Sequence, residues 1–212
     1  MKLIKFVKIY QNIPLIDSGT FPLYTEKPQD LRRQVNEWRK KGYIIPLKKG
    51  LYIFSDEYRK IFLSHLFVAN FSVFPSYISL EYAFNFYGLI PEKVTTFTSI
   101  TTKKTTRFKN ILGNFEYHSV KQDLFFGFKK ETDKNQDFFI ALPEKALLDY
   151  FNLNNQYKGH FSELESLRLQ NLEILNVELL RTYGLKYNER VKRIVNVLIE
   201  FIKKYKKSYK II

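Results

Sequence analysis

PQDLRRQVNEWRKKGYIIPLKKGLYIF, residues 28–54, is the stretch whose reading decides the fold. Its first half has the period of a helix: Leu31, Val35 and Trp38 recur at steps of four and three and share one narrow sector. The same period places Gln29, Arg33, Asn36 and Lys40 on the opposite side, with Arg32 and Arg39 on one flank. Lys40 and Lys41 suit the negative end of the helix dipole, and Gly42 suits the position just beyond it. The second half predicts a hairpin. Residues 43–47 and 51–54 are its strands, joined by Lys48-Lys49-Gly50, where Gly50 can take a positive φ. Pro46 has no N–H for a ladder bond and fits an edge strand. Trp38 turns inward as core.

A basic helix followed by a ribbon with a lysine-tipped turn is the order found in a winged helix-turn-helix. There the helix enters a DNA major groove and the ribbon lies along the backbone. On that reading Arg33, Asn36 and Gln29 are the candidates for base edges, since arginine pairs bidentately with guanine, and Asn or Gln with adenine. Arg32, Arg39, Lys40 and Lys41 would meet phosphates, and Lys48 and Lys49 would set the wing on the backbone. The periodicity alone fits an amphipathic surface helix and hairpin with solvating charges equally well.

Working outward, Leu3, Val7 and Tyr10 share a face of a first helix over 3–10, and a short second helix fits around 21–24, although Gly19 and Pro22 blur its limits. These complete a head over residues 1–55. Ser55 or Asp56 is placed to cap a helix over 57–70, which would bridge the head to the rest within 56–74. Ser79 is a candidate cap for a helix over 80–87 that Gly88 closes. Beyond Pro91, β-branched and aromatic residues predict strands over 94–100, 115–120, 124–128 and 138–142. Between the first two lies TTKKTTRFKN, residues 101–110, a loop whose Lys103, Lys104, Arg107 and Lys109 form a second basic patch or simply an exposed polar loop. Pro143 opens a helix with Ala146, Leu147 and Tyr150 on its apolar face, and further helices are expected over 161–171, 176–183 and 188–206. In the last, Val191, Ile194, Val195, Leu198 and Ile202 form a buried stripe, and Lys203, Lys204, Lys206, Lys207 and Lys210 crowd its C-terminal end. The expected fold is α+β: the head, a bridging helix, and a mixed α/β domain over 75–212 with a small sheet and a helical tail.

Of the 212 residues 45% are hydrophobic, enough for a core and too many for a disordered chain. The net charge of +14 favours acidic partners, nucleic acid first. Residues 1–50 carry +7 and residues 151–212 carry +6, around a nearly neutral middle. With no cysteine, disulfides, thiol catalysis and thiolate metal sites are excluded. No signal-peptide pattern opens the chain and no apolar run spans a bilayer, so a cytoplasmic protein is expected. His65, His118 and His160 lie far apart in unrelated contexts, each better read as packed or surface. Asp137, Glu144 and Asp149 invite a hard-cation reading, but no motif supports them. The expectation is a chain that is no enzyme and uses no metal or cofactor.

Four segments together resemble the AbiEi-type antitoxins and related transcriptional regulators: the head, the wing run LKKGLYIF, the helix YISLEYAFNFYGLI and the later LPEKALLDYF. Lys49-Gly50-Leu51-Tyr52 matches the basic-glycine-aliphatic-tyrosine run of the family's wing. Ser79, Ala83 and Gly88 match its serine-capped helix, and residues 143–149 its helix with an alanine or leucine run before aspartate. The resemblance covers roughly residues 1–200. It implies a head that binds promoter inverted repeats of its own operon in double-stranded DNA, at Gln29, Arg32, Arg33, Asn36, Arg39 and Lys40 with Lys48 and Lys49 at the wing tip. It further implies a C-terminal domain opposing a nucleotidyltransferase-like toxin, directly or only through its effects, in abortive phage infection. A solitary regulator, or a basic adaptor for an acidic protein, is the alternative.

Overall fold

The structure, a computed structural model, describes residues 1–209. The order begins with α1 (Leu3–Tyr10), β1 (Ile16–Asp17), a 3-10 helix (Ser18–Leu23), α2 (Pro28–Lys40), β2 (Ile44–Lys48) and β3 (Leu51–Phe54). It continues with α3 (His65–Ser72), β4 (Ser76–Ile78), α4 (Leu80–Phe86), β5 (Thr96–Thr101), β6 (Thr106–Asn110), β7 (Gly113–Ser119), β8 (Phe128–Asp133) and β9 (Gln136–Ala141). The tail holds α5 (Pro143–Leu153), α6 (Phe161–Ser166), α7 (Val177–Gly184) and α8 (Glu189–Tyr209). The class is α+β, as expected. No described helix is long and apolar enough to cross a membrane.

The strands form two sheets. The smaller has the order β1-β3-β2, all antiparallel, so the predicted hairpin acquires a third strand that the sequence did not announce. The larger has the order β6-β7-β5-β4-β9-β8 and mixes parallel with antiparallel pairs. Alternation along its strands separates its two faces. Tyr117 donates its hydroxyl to the Ala69 carbonyl of α3 at 2.6 Å, while Tyr77, on the other face, reaches Asp149 of α5 at 3.0 Å. The stripe Val191, Ile194, Val195, Leu198 and Ile202 of α8 is buried as its spacing requires. Lys210 and the side chain of Lys207 lie outside the described residues.

Two cores share one hairpin. Phe6, Tyr10, Phe21, Leu31, Val35 and Trp38 close around Ile44 and Phe54, with the Phe6 and Trp38 rings 4.9 Å apart. The opposite face of the same hairpin, Leu47, Leu51 and Ile53, belongs to the large core of the second sheet, as does Leu15. Strand alternation explains the division, because neighbours on a strand point to opposite faces. A fragment of residues 1–55 therefore bares this second apolar face, each such side chain costing roughly 1.5–3 kcal/mol of burial. We expect that fragment to show no cooperative thermal transition by circular dichroism. A sharp melt at the midpoint of the full chain would overturn the expectation.

Several segments depart from their sequence reading. The bridging helix expected over 57–70 begins only at His65, capped by Ser64, whose hydroxyl accepts from the Phe67 N–H at 3.2 Å. Distant side chains bind the backbone before it: Gln136 donates to the Phe62 carbonyl and accepts from Ser64 N–H, and Lys134 donates to the Leu63 carbonyl. The predicted second helix is 3-10, its Asp17 cap accepting from Gly19 N–H at 2.7 Å. Residues 124–128 are not a strand, for Gly127 at φ +72° breaks the extended run and β8 starts at Phe128. The basic loop over 101–110 is half strand, β6 laddering along β7 from Thr106 to Asn110. The helix expected over 161–171 stops at Ser166, ahead of Arg168 and Asn171 in the left-handed region.

Candidate nucleic-acid interface

Helix α2 is amphipathic in the strict sense that its apolar face is fully committed. Leu31 and Val35 are buried in the first core with Trp38, and Pro28 starts the helix where a missing N–H costs nothing. Gln29, Arg33, Asn36, Arg39, Lys40 and Lys41 are all exposed. Residues 27–49 carry eight basic and two acidic side chains. The two carboxylates lie on the flank opposite Arg32 and Arg39, Asp30 3.6 Å from Arg33 and Glu37 3.2 Å from Lys40. Both pairs are solvent-exposed and individually weak, so a phosphate or base edge can displace them.

The basic flank meets the hairpin tip through Ser18. Half-buried Arg32 donates to the Ser18 carbonyl at 3.4 Å, and Ser18 N–H donates to the Gly50 carbonyl at 2.8 Å. Lys49 and Gly50 form the two-residue turn, with Lys49 exposed. Gly50 has φ +81°, and a Cβ there would lie 2.9 Å from the Ser18 hydroxyl. A left-handed non-glycine residue costs about 1–2 kcal/mol before any clash. Gly50→Ala is accordingly expected to destabilise the chain by about that amount in urea titration and to weaken any function of the tip. A neutral substitution would mean the tip moves freely.

Lys48 does not join this tip. Its ammonium donates to the Ser72 carbonyl at the end of α3 at 2.7 Å and lies 5.8 Å from the Phe108 ring of β6. Asn110 donates to the Leu47 carbonyl at 3.1 Å. These contacts fasten the hairpin to the edge of the second sheet, so the expected wing pair Lys48 and Lys49 is divided. Of the second basic patch, Arg107 and Lys109 stand exposed on β6 while Phe108 between them turns inward onto Phe115. Lys103 and Lys104 are exposed in the turn before the strand.

The other candidate residues serve the fold. Asp137 is exposed and accepts from Thr132 and Lys130, which hold its carboxyl below the usual carboxylate range. Glu144 is buried and accepts Asn176 N–H at 2.6 Å, ahead of the helix that Asn176 caps. Half-buried His65 packs against Phe97 with its pKa lowered by burial. His118 lies 3.9 Å from Glu116, and the His160 N–H is bound by Glu163. Among the described residues no group of three or more such side chains could hold a metal ion.

Asp149 is the centre of a network that sequence reasoning missed. It pairs with Lys145 one helical turn away, and both side chains are 0% exposed. Ser79 donates to it at 2.9 Å, Tyr77 at 3.0 Å and Tyr187 at 3.3 Å. Ser79 stands at the cap position just before α4, yet its hydroxyl goes to Asp149 and not to the helix N-terminus. Burial pushes the Asp149 carboxyl up and the Lys145 ammonium down. At zero exposure this cluster joins elements and offers no surface to a ligand. The signal in the sequence was a Lys and an Asp four apart inside the apolar run of KALLDYF.

No protein-family model and no curated protein matches this chain. The α2 surface is a cationic helix face with a lysine-tipped turn beside it.

Proposed function

We propose that this chain is a sequence-specific DNA-binding repressor whose head acts as a winged helix. The carrying observation is the exposed basic face of α2, joined through Ser18 to the hairpin tip, while the opposite face of the helix is sealed in its core. Arg33, Asn36 and Gln29 read base edges, and Arg32, Arg39, Lys40, Lys41 and Lys49 meet phosphates. Repression follows from occupancy of a promoter, with no chemistry by this chain and no cofactor. The chain's resemblance to AbiEi-type antitoxins supports a second role, opposing a nucleotidyltransferase-like toxin. In that role the second sheet and its helices form the antitoxin part, and Asp149 joins the two segments, 77–79 and 145–149, that carry most of the resemblance there.

The test is binding of the purified protein to its own upstream DNA, with unrelated DNA and a salt series as controls. Saturable, operator-selective binding is expected. Equal, weak, salt-sensitive binding to both DNAs would reduce the charge pattern to general attraction and favour a basic adaptor. The antitoxin part is tested by co-expression with a neighbouring nucleotidyltransferase-like protein, where restored growth is expected.

A further inference from the structure

A second surface, away from the α2 face, combines bare aromatic rings with cations. Phe71 closes the exposed side of α3 and Phe74 follows in the turn to β4; they are 43% and 74% exposed. β4 and β5 are antiparallel with Ser76 opposite Thr101, so whatever precedes β4 and follows β5 leaves the sheet at the same end. The Thr101 hydroxyl donates to the Pro75 carbonyl at 2.6 Å and also accepts from Lys103 N–H, which fixes that turn beside Phe74. Lys103 and Lys104 are exposed there, and Lys48 arrives from the hairpin onto the Ser72 carbonyl. Neither segment carries any carboxylate: residues 58–80 and 93–115 contain no Asp and no Glu. Exposed phenylalanines beside exposed lysines suit a partner that is flat, apolar on its faces and anionic along its length.

We infer that this surface binds single-stranded DNA, with unpaired bases stacking on Phe71 and Phe74 and the backbone running past Lys103 and Lys104. Every base has a π-face, so such a platform tolerates any sequence, unlike the duplex-reading face of α2. The exposed lysines add electrostatic attraction to a phosphate backbone. The platform lies in the second unit of the fold, beside Lys48 just before the hairpin turn, so one molecule presents a duplex reader and a single-strand holder.

The test is fluorescence anisotropy of the full chain with a labelled oligo(dT) of about 15 nucleotides. Phe71→Ala and Phe74→Ala, both at exposed positions, are each expected to weaken binding roughly 5- to 150-fold. Lys103→Ala with Lys104→Ala should lower the slope of log affinity against log salt by about 1.4. Duplex binding should persist in the Phe variants, and oligo(dT) binding should persist in Arg33→Ala plus Asn36→Ala, so failure of either surface is read separately. Absence of oligo(dT) binding, or binding indifferent to both rings, would overturn the inference. A matched oligo(U) bound more tightly would overturn the choice of DNA. Loss of self-association in the Phe variants without change in oligo(dT) binding would make the surface a protein interface and overturn it too.

Discussion

Asp149→Leu is expected to destabilise the chain by about 3–5 kcal/mol, because it strands a buried lysine. Lys145 is 0% exposed and loses its carboxylate partner, while Tyr77, Ser79 and Tyr187 lose their common acceptor. Domains of this kind are stable by only about 5–15 kcal/mol, so one substitution removes a large fraction of the total. Urea unfolding followed by circular dichroism measures it. The double variant Lys145→Met, Asp149→Leu supplies the control. With both charges gone neither position leaves an unpaired ion buried, and the double should be more stable than the single despite carrying one more substitution. A single-variant loss below about 1 kcal/mol would mean that the network is solvated and that its apparent burial does not govern stability.

Arg33→Ala with Asn36→Ala carries the second large effect, on recognition and not on folding. Both side chains are exposed and neither touches the core, so the variant should unfold at the wild-type urea midpoint. Each good bidentate contact contributes about 1–3 kcal/mol of discrimination. Losing both should therefore cut the preference for the operator over unrelated DNA by at least tenfold. The salt slope should fall by at most about 0.9, since one cation is removed. Lys49→Ala or Arg39→Ala should behave differently, weakening both DNAs alike by one phosphate contact and sparing the preference. If the α2 pair instead weakens both DNAs equally, α2 lies on the backbone and the reading element is elsewhere.

Local pattern settled the elements whose causes are local. The amphipathic period of α2, the glycine at the hairpin turn, Pro143 at the start of α5 and the stripe of α8 each depend on residues within one or two turns. The candidate residues of the α2 face were legible for the same reason. Tertiary contacts decided the rest. Residues 57–64 look helical, but Phe62, Leu63 and Ser64 give their backbone groups to Gln136 and Lys134, which lie more than 70 residues away. β1 and β4 are two and three residues long, too short for a period, and exist only because neighbouring strands offer ladders. Lys48 reads as a wing-tip cation yet is drawn to Ser72, because the hairpin is packed between two cores. Asp149 likewise read as one of three carboxylates inviting a hard cation, and as the aspartate that closes a resemblance motif. Its four partners come from β4, the residue before α4, its own helix and the residues before α8, and only the folded chain brings them within hydrogen-bonding reach. Sequence by itself determined the charge, the class and the basic helix. The fold decided which cations face outward and which charges are buried, because exposure depends on contacts between segments distant in the chain.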